Sequence, residues 1–282
     1  MHRTFRLQVV SDLHLEISAK ALPEIKQELQ PHCDNLALCG DIGRPGSADY
    51  NTLLQHCSSQ WKRVFVTLGN HEYYKGVESH VERAFEQACS KYPNVYAMNR
   101  RSIIVEAGET ALAGSTLAPA LRVLGCTLWS HVPREATFVV EDFMNDYRVI
   151  HVEDSVSVRK FTVDDNNRKH KQDLDWLEEQ LKTPEPTIVL THHAPLTTGT
   201  SAPQYETPVK STRHGFATDL SRLMGGDGTS RILSPVKLWC FGHTHWQADF
   251  LFNQTRIVTN ARGYSRHESS NYDALRVYEI EY

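Results

Sequence analysis

The sequence is poor in cysteine, with six residues and no Cys-x-x-Cys pair. Cys39 and Cys240 lie inside apolar runs, where cysteine usually behaves as a small core residue. The sequence also lacks a long hydrophobic run, and the apolar stretch near its N-terminus is soon broken by Asp12 and His14. These absences argue against a disulfide-rich secreted protein, a signal peptide and a membrane span. We therefore expect a soluble, cytoplasmic protein with no membrane partner.

An excess of positive charge is missing as well. Lys and Arg total 30 against 34 Asp and Glu, so the net charge near neutral pH is −4. This balance offers no general attraction to a polyanionic backbone, which makes extended nucleic acid an unfavourable partner. The sequence contains no internal repeat or low-complexity tract, which argues against a solenoid or a disordered chain. Its length suits one large α/β domain.

Strand-like and helix-like segments alternate along most of the chain. The pattern predicts strands at 5–10, 35–39, 63–68, 111–116, 187–193 and 236–245, and helices at 22–29, 76–92, 170–181 and 216–224. Such alternation is typical of parallel βαβ units. Residues 131–169 and 197–215 fit neither pattern, and long connections after core strands are more often functional loops than linkers. We interpret 1–282 as a single domain with loop insertions at these two places.

Five apolar runs end in residues that are able to bind a metal. These residues are Asp12 and His14, Asp41, Asn70 and His71, His192 and His193, and His243 and His245. In open α/β sheets, ligands bind beyond the carboxyl ends of the strands, so five such ends can converge on one site. Because residues i and i+2 of an extended strand face the same way, we expect Asp12 and His14 to point together. The same argument applies to His243 and His245.

Each motif also has a purely structural explanation when it is taken alone. "SDLH" and "GD" are common in turns and helix caps, and "GNH" can form a turn in which the Asn side chain bonds the backbone. "THH" can be a strand end with one satisfied histidine. "GHTH" is harder to explain by packing, because it places two imidazoles in i, i+2 register after a buried strand. The five motifs together, in this order, favour a metal site.

In the order DxH, GD, GNH, H and GHxH, these motifs resemble the calcineurin-like metallophosphoesterase superfamily over residues 10–245, and most of all its small bacterial and fungal members. The resemblance implies a four-layer α/β/β/α sandwich with two mixed β-sheets and a dinuclear metal site at the carboxyl ends of the strands. It implies that Asp12, His14 and His245 bind one metal, that Asn70, His192 and His243 bind the other, and that Asp41 bridges both. We prefer His192 to His193 because "HHAP" is similar to the "HHPP" of the family, in which the first histidine coordinates. His71 resembles the histidine that faces the phosphate and the leaving group without binding metal.

The ligand types agree with this resemblance. Mixed imidazole and oxygen ligands suit two divalent first-row metals such as Mn, Fe or Zn better than Ca or Mg. Two such ions lower the pKa of a shared water and neutralise the oxygens of a phosphate, so a metal-bound hydroxide can attack phosphorus. We therefore expect hydrolysis of a small-molecule phosphodiester or phosphomonoester. The alternatives are a nuclease acting on short or single-stranded nucleic acid and a non-catalytic scaffold that binds other proteins.

The sequence departs from some branches of the superfamily. In "GDIGRPG", Arg44 and Pro45 stand where Ser/Thr protein phosphatases have Asp and Arg, so a dedicated phosphoprotein phosphatase is not expected. The segment "MNDYR" offers Asn145, Tyr147 and Arg148 as candidate substrate-binding residues, or else it is a packed surface helix. Arg262 in "NARGY" is a further candidate for phosphate binding, or it braces a turn.

Overall fold

The computed structural model describes residues 3–17, 21–105, 120–207, 211–225, 235–264 and 271–282. The strands within them are β1 (Thr4–Val10), β2 (Asn35–Cys39), β3 (Arg63–Thr67), β4 (Val95–Ala97), β5 (Arg101–Val105), β6 (Leu121–Gly125), β7 (His151–Glu153), β8 (Val158–Lys160), β9 (Thr187–Leu190), β10 (Val236–Phe241), β11 (Ala248–Phe252), β12 (Thr255–Thr259) and β13 (Val277–Glu281). The helices are α1 (Ala21–Glu28), α2 (Ala48–Gln60), α3 (Glu78–Cys89), α4 (Thr137–Phe143), α5 (Asp146–Val149) and α6 (Val163–Gln180). Short 3-10 turns connect several of them.

The strands form two large mixed sheets and one small hairpin. The first sheet has the order β13-β1-β2-β3-β4, and only β13 runs antiparallel to its neighbour. The second has the order β11-β12-β10-β9-β6-β5, in which β12, β10, β9 and β6 are parallel and the outer strands β11 and β5 are antiparallel to their neighbours. Strands β7 and β8 pair with each other. The parallel central strands therefore present their carboxyl ends together, as a ligand site requires.

Alternating side chains of each sheet fill separate layers of the core. Leu7 and Val9 of β1 belong to a buried cluster that also contains Ile188 and Leu238 of the second sheet, so the two sheets face each other. Val10 belongs instead to the cluster that includes residues of α1, α2 and α3. A third cluster joins the outer face of the second sheet to α6 and to residues 194–196 and 217–224. The predicted four-layer sandwich with two mixed sheets is confirmed.

The predicted helix at 216–224 is wrong. Only Ser221–Met224 forms a 3-10 turn, and the residues before it bond to a neighbouring segment. The Thr218 amide donates to the Ala194 carbonyl and the Leu220 amide donates to the Pro195 carbonyl, which removes the donors that a helix would need.

The two segments interpreted as loop insertions differ in structure. Residues 131–169 hold α4, α5, the β7–β8 hairpin and the start of α6. Residues 197–207 and 211–215 contain short 3-10 turns. The strand predicted at 111–116 lies outside the described residues, and the assignment of 1–282 to a single domain stays a prediction. Among the described helices, none is both long enough and apolar enough to span a membrane.

Candidate metal centre

The candidate ligands lie just beyond the carboxyl ends of five parallel strands. Strands β1, β2 and β3 of the first sheet end at Val10, Cys39 and Thr67, and β9 and β10 of the second end at Leu190 and Phe241. Each end is followed within four residues by one or two candidate ligands. Ligands that are far apart in the chain therefore meet at one end of the sandwich.

The expectation that paired ligands share one face of an extended strand is wrong. Asp12 and His14 lie after β1, in left-handed backbone conformation with φ of 56° and 49°. His243 and His245 follow β10 with φ of 68° and 51°, and Asp41 has a φ of 54°. Non-glycine residues seldom adopt this region, and such strained residues cluster at functional sites. The side chains converge because the loops curl at these residues, not because the strands continue.

Two glycines allow the loops to approach the candidate ligands closely. A Cβ atom on Gly69 would lie 2.2 Å from Oδ1 of Asp41, and one on Gly242 would lie 2.7 Å from Oδ2 of Asp12. Both distances are far below van der Waals contact, so any side chain at these positions would displace the carboxylates. Glycine at 69 and 242 is therefore a requirement of the site itself.

Three overlapping groups of side chains could each hold a metal ion. They are Asp12 with His14 and His245, His14 with Asp41 and His71, and Asp41 with His192 and His243, and the ligand atoms of each group lie within 4.8 Å of one another. Asp41 faces both sides: its Oδ2 lies 3.9 Å from Nε2 of His14, and its Oδ1 lies 3.3 Å from Nε2 of His192. The first and third groups thus form two adjacent sites, and Asp41 of the third group also faces His14 of the first.

Hydrogen bonds fix which atom each ligand can offer. Nδ1 of His192 lies 2.9 Å from the Cys39 carbonyl oxygen, so it donates there and Nε2 remains available to a metal. Nε2 of His243 lies 3.2 Å from the Gly215 carbonyl oxygen, which leaves Nδ1 available. Nδ2 of Asn70 donates to Oδ1 of Asp146 at 2.8 Å, while Oδ1 of Asn70 lies 3.1 Å from Nε2 of His192. The amide oxygen therefore points into the second site.

The charges of the site favour a bound cation. Burial opposes ionisation of Asp12, but the hydrogen bond and charge of His245 outweigh it and lower the pKa of Asp12 to about 2. Burial also disfavours a charged His192, yet Asp41 and Asp12 raise its pKa to about 10. Burial and the charge on His192 lower the pKa of His243 to about 3, which keeps that imidazole neutral. The carboxylates therefore favour positive charge, which a proton on His192 supplies until a divalent ion displaces it.

His71 lies beside the candidate ligands and is held from two directions. Its backbone amide donates to Oδ1 of Asp41 at 2.8 Å, and its Nδ1 lies 2.9 Å from Oε1 of Glu16. The ring stacks on Tyr74 at 4.0 Å between centroids, and Nε2 lies 3.4 Å from the hydroxyl of Tyr264. Burial lowers the pKa of His71, but Asp41 and Glu16 outweigh it and raise that pKa to about 9. The imidazole thus presents Nε2 in a fixed orientation.

Glu72 and His193 are buried next to the candidate ligands, and their hydrogen bonds connect the surrounding segments. The Glu72 carboxylate accepts the backbone amides of Gly69, Asp41 and Ile42 at 2.8, 3.0 and 2.7 Å, and so ties the loop after β2 to the loop after β3. His193 bonds to the Ser130 hydroxyl at 2.9 Å and stacks on His243 at 4.1 Å. The structure places His192, and not His193, among the candidate ligands.

The four predicted substrate-binding residues occupy different environments. Asn145 lines a cavity of about 210 Å³ together with Asp41, Asn70 and His71. We call this the catalytic cavity. Tyr147 is buried and stacks on Phe161, Arg148 bonds to the Asp142 carbonyl and to Asn145, and Arg262 pairs with Glu24 of α1 at 3.4 Å. These last three do not line the described part of the catalytic cavity.

Two acidic residues that contact the site were not predicted. Glu16 bonds to both His14 and His71, and Asp146 bonds to Asn70 and to the Tyr74 hydroxyl. Glu16 had a visible signal, because it continues the i, i+2 spacing of Asp12 and His14. Asp146 stands inside the "MNDYR" segment, and its contact with a residue 76 positions away has no local signal.

Comparisons with known proteins agree with the geometry. The sequence model of the calcineurin-like phosphoesterase family matches residues 5–247. An uncharacterized protein of Acanthamoeba polyphaga mimivirus is 30% identical over 98% of this chain and 96% of its own length. The crystal structure of phosphopantetheinyl hydrolase from Mycobacterium tuberculosis is similar with a TM-score of 0.69 and 15% identity, covering 96% of this chain and 95% of that chain. A dimetal phosphatase from Danio rerio is similar with a TM-score of 0.50 and 12% identity, covering 90% of this chain and 86% of that one.

The chain therefore belongs to the calcineurin-like phosphoesterase family, and it is a metal-dependent enzyme that hydrolyses phosphoester bonds. Proteins of this family generally bind two divalent metals, and the clusters of histidine and aspartate described above are the candidate ligands in this chain. The family acts on small phosphoester substrates.

Proposed function

We propose that the protein is a dinuclear phosphohydrolase that cleaves a small-molecule phosphodiester, with phosphomonoesters as poorer substrates. The observation that carries this proposal is the pair of adjacent ligand groups joined by Asp41. Asp12, His14 and His245 would hold one ion, and Asn70, His192 and His243 the other. When bound, two divalent ions supply a water of lowered pKa and neutralise charge on the phosphate oxygens.

The residues around the ions would position the substrate and move a proton. His71 would donate a proton from Nε2 to the departing alcohol oxygen, because its Nδ1 is already engaged by Glu16. Asn145 and Tyr264 line the same cavity and would contact the substrate there. Of the described residues that line the catalytic cavity, none is Lys or Arg. A dianionic monoester would find no extra cation, which favours a monoanionic diester.

The types of ligand atom indicate which metals would bind, and the cysteines indicate the compartment. The proposed ligands are four imidazoles and the side-chain oxygens of Asp12, Asp41 and Asn70, and this mixed set suits Mn, Fe or Zn better than an alkaline-earth ion. All six cysteines are free, and five of them are buried, which is consistent with a reducing cytoplasm. Extended nucleic acid remains an unfavourable partner at a net charge of −4.

The test is a panel of metals against substrates. Metal-free protein is loaded with Mn, Fe or Zn. Each form is assayed with an aryl diester, an aryl monoester, a cyclic nucleotide, a short oligonucleotide and a phosphopantetheinyl ester. The last substrate is included because the similar mycobacterial structure is that of a phosphopantetheinyl hydrolase. We expect two ions per chain and the fastest turnover with the aryl diester. Faster cleavage of the oligonucleotide would identify a nuclease instead. Absence of bound metal would contradict the proposed function altogether.

A further inference from the structure

A second cavity opens from the catalytic cavity. It has a volume of about 310 Å³ and lies among α4, residues 197–206 and 212–217, the loop after β10 and the residues after β12. We call it the leaving-group groove. Its walls include Phe143, Tyr205, Arg213, Phe216, His243 and Tyr264. A volume of this size accommodates a small organic group such as a ring with substituents.

The groove and the catalytic cavity are continuous. Phe143, Phe216, His243, His245 and Tyr264 line both of them. His243 and His245 belong to the two candidate metal groups, so a phosphate held by those groups would project one of its substituents along this wall. The groove is therefore placed to receive the part of the substrate that lies beyond the phosphate.

Four Phe and Tyr side chains line the groove, namely Phe143, Tyr205, Phe216 and Tyr264. Phe143 and Tyr205 are each 57% exposed, although large apolar side chains are normally buried. The Phe216 ring stacks on His243 with 4.9 Å between centroids and an interplanar angle of 30°, which forms an aromatic floor that leads to the metal centre. Exposed apolar side chains that gather at one concave place mark a binding site, and aromatic rings favour offset stacking with other planar rings.

The charged side chains of the groove determine which substituents on a bound aromatic ring would find a partner. Apart from histidine, its charged residues within the described chain are Glu206 and Arg213. Glu206 is engaged, because its Oε1 accepts the backbone amides of Thr200 and Ser201 at 3.0 and 3.1 Å. Nε of Arg213 is buried and has no hydrogen-bond partner among the described residues. Arg213 lines the groove, and the N–H groups at the end of its guanidinium can donate to an acceptor on a bound ligand.

We propose that the leaving-group groove binds the alcohol part of the substrate and selects a planar aromatic or heterocyclic group that offers a hydrogen-bond acceptor to Arg213. This proposal rests on the proposed function, because it assumes that a phosphoester occupies the catalytic cavity. It narrows the substrate from any small phosphodiester to esters of aromatic or heterocyclic alcohols. Esters of glycerol, simple sugars or short alkyl alcohols would leave the aromatic walls uncovered.

Phosphonates test the groove without turnover, since their carbon–phosphorus bond is not hydrolysed. Metal-loaded protein is titrated by calorimetry with methylphosphonate, n-hexylphosphonate, phenylphosphonate and 4-carbamoylphenylphosphonate. We expect phenylphosphonate to bind at least about tenfold more tightly than methylphosphonate, because one ring is removed from water. The carbamoyl compound should bind more tightly still. Equal affinities for phenyl and methyl compounds, or no binding of either, would overturn the proposal, and a hexyl compound as tight as phenyl would overturn the aromatic selection.

Three variants test whether the preference for phenylphosphonate over methylphosphonate arises in the groove. Phe143→Ser should remove most of the advantage of phenylphosphonate, whereas Phe138→Ser should preserve it, since Phe138 belongs to the same helix and is 82% exposed but does not line the groove. Arg213→Met should weaken only the carbamoyl compound. An unchanged preference in Phe143→Ser contradicts the proposal.

Measurement of hydrolysis distinguishes a failure of the proposed function from a failure of the groove proposal. If no phosphoester is hydrolysed at all, the proposed function fails. If an aryl diester is hydrolysed while the phosphonates show no preference for a ring, the proposed function stands and the groove proposal alone fails.

Discussion

Oε1 of Glu16 lies 2.9 Å from Nδ1 of His71 and 3.0 Å from Nδ1 of His14. One carboxylate oxygen therefore orients two histidines that we assign to different tasks, one to proton transfer and one to metal binding. A carboxylate that accepts the second ring N–H of a histidine fixes its tautomer and its orientation. We therefore expect proton transfer by His71 and metal binding by His14 to depend on the same carboxylate.

His71 and Asn70 are adjacent, but we expect their replacement to affect different properties: turnover for His71 and metal content for Asn70. His71→Ala should retain both metal ions and lose about 10²-fold or more in turnover, because it removes a proton donor and no ligand. Asn70→Ala should lose one of two ions, because it removes an amide oxygen that lies 3.1 Å from Nε2 of His192. Metal content by mass spectrometry and kcat for an aryl diester distinguish the two. Full turnover in His71→Ala would remove this residue from the mechanism.

Replacement of Glu16 should lower both metal affinity and turnover. Glu16→Ala removes the acceptor of His14 and of His71, so we expect metal affinity to fall about 10-fold to 100-fold and kcat to fall even at saturating metal. The exposed Glu24→Ala variant on α1 is the control, since its carboxylate contacts Arg262 and no candidate ligand. A loss that saturating metal fully restores would show that Glu16 acts on His14 alone.

The candidate ligands could be predicted from the sequence because each is a local feature, a polar residue at the end of an apolar run. Their backbone conformation could not, since five of them are left-handed and residues other than glycine seldom adopt that region. Asp146 was missed because its contact with Asn70 depends on how α5 packs. The helix predicted at 216–224 failed for the same kind of reason, because residues 194 and 195 take its backbone hydrogen bonds.

Asp146 should control the second metal site through the Asn70 amide. Its Oδ1 accepts from Nδ2 of Asn70 and from the Tyr74 hydroxyl, both at 2.8 Å, so Asp146→Ala frees the amide to rotate. We expect affinity for the second ion to fall about 10-fold to 100-fold while the first ion stays bound. Tyr74→Phe should have a smaller effect, and the exposed Asp142→Ala should have none. Calorimetric metal titrations of the four proteins test this order, and a wild-type affinity in Asp146→Ala would contradict it.

The carboxylate of Asp165 stabilises the start of α6. Asp165 caps α6: its Oδ2 accepts the Thr162 amide at 3.1 Å, and its carboxylate pairs with Arg159 and with Arg168. Burial raises the pKa of Asp165, but the bonds from Arg159 and Thr162 outweigh it and lower the pKa from 3.8 to about 2. The folded state therefore favours the ionised form, and its stabilisation is complete above about pH 4 and is lost as the pH falls towards 2.

Asp165→Asn should lower the free energy of unfolding by about 1 kcal/mol at pH 7, because it weakens a capping box and two ion pairs. The difference from the wild type should shrink between pH 4 and pH 3. Urea unfolding of the metal-free wild type and variant across this range measures the difference, in which the titration of the metal ligands cancels. Asp164→Asn is the matched control, since Asp164 is exposed in the same first turn of α6. A difference that is independent of pH would mean that Asp165 stabilises the protein through its shape and not through its charge.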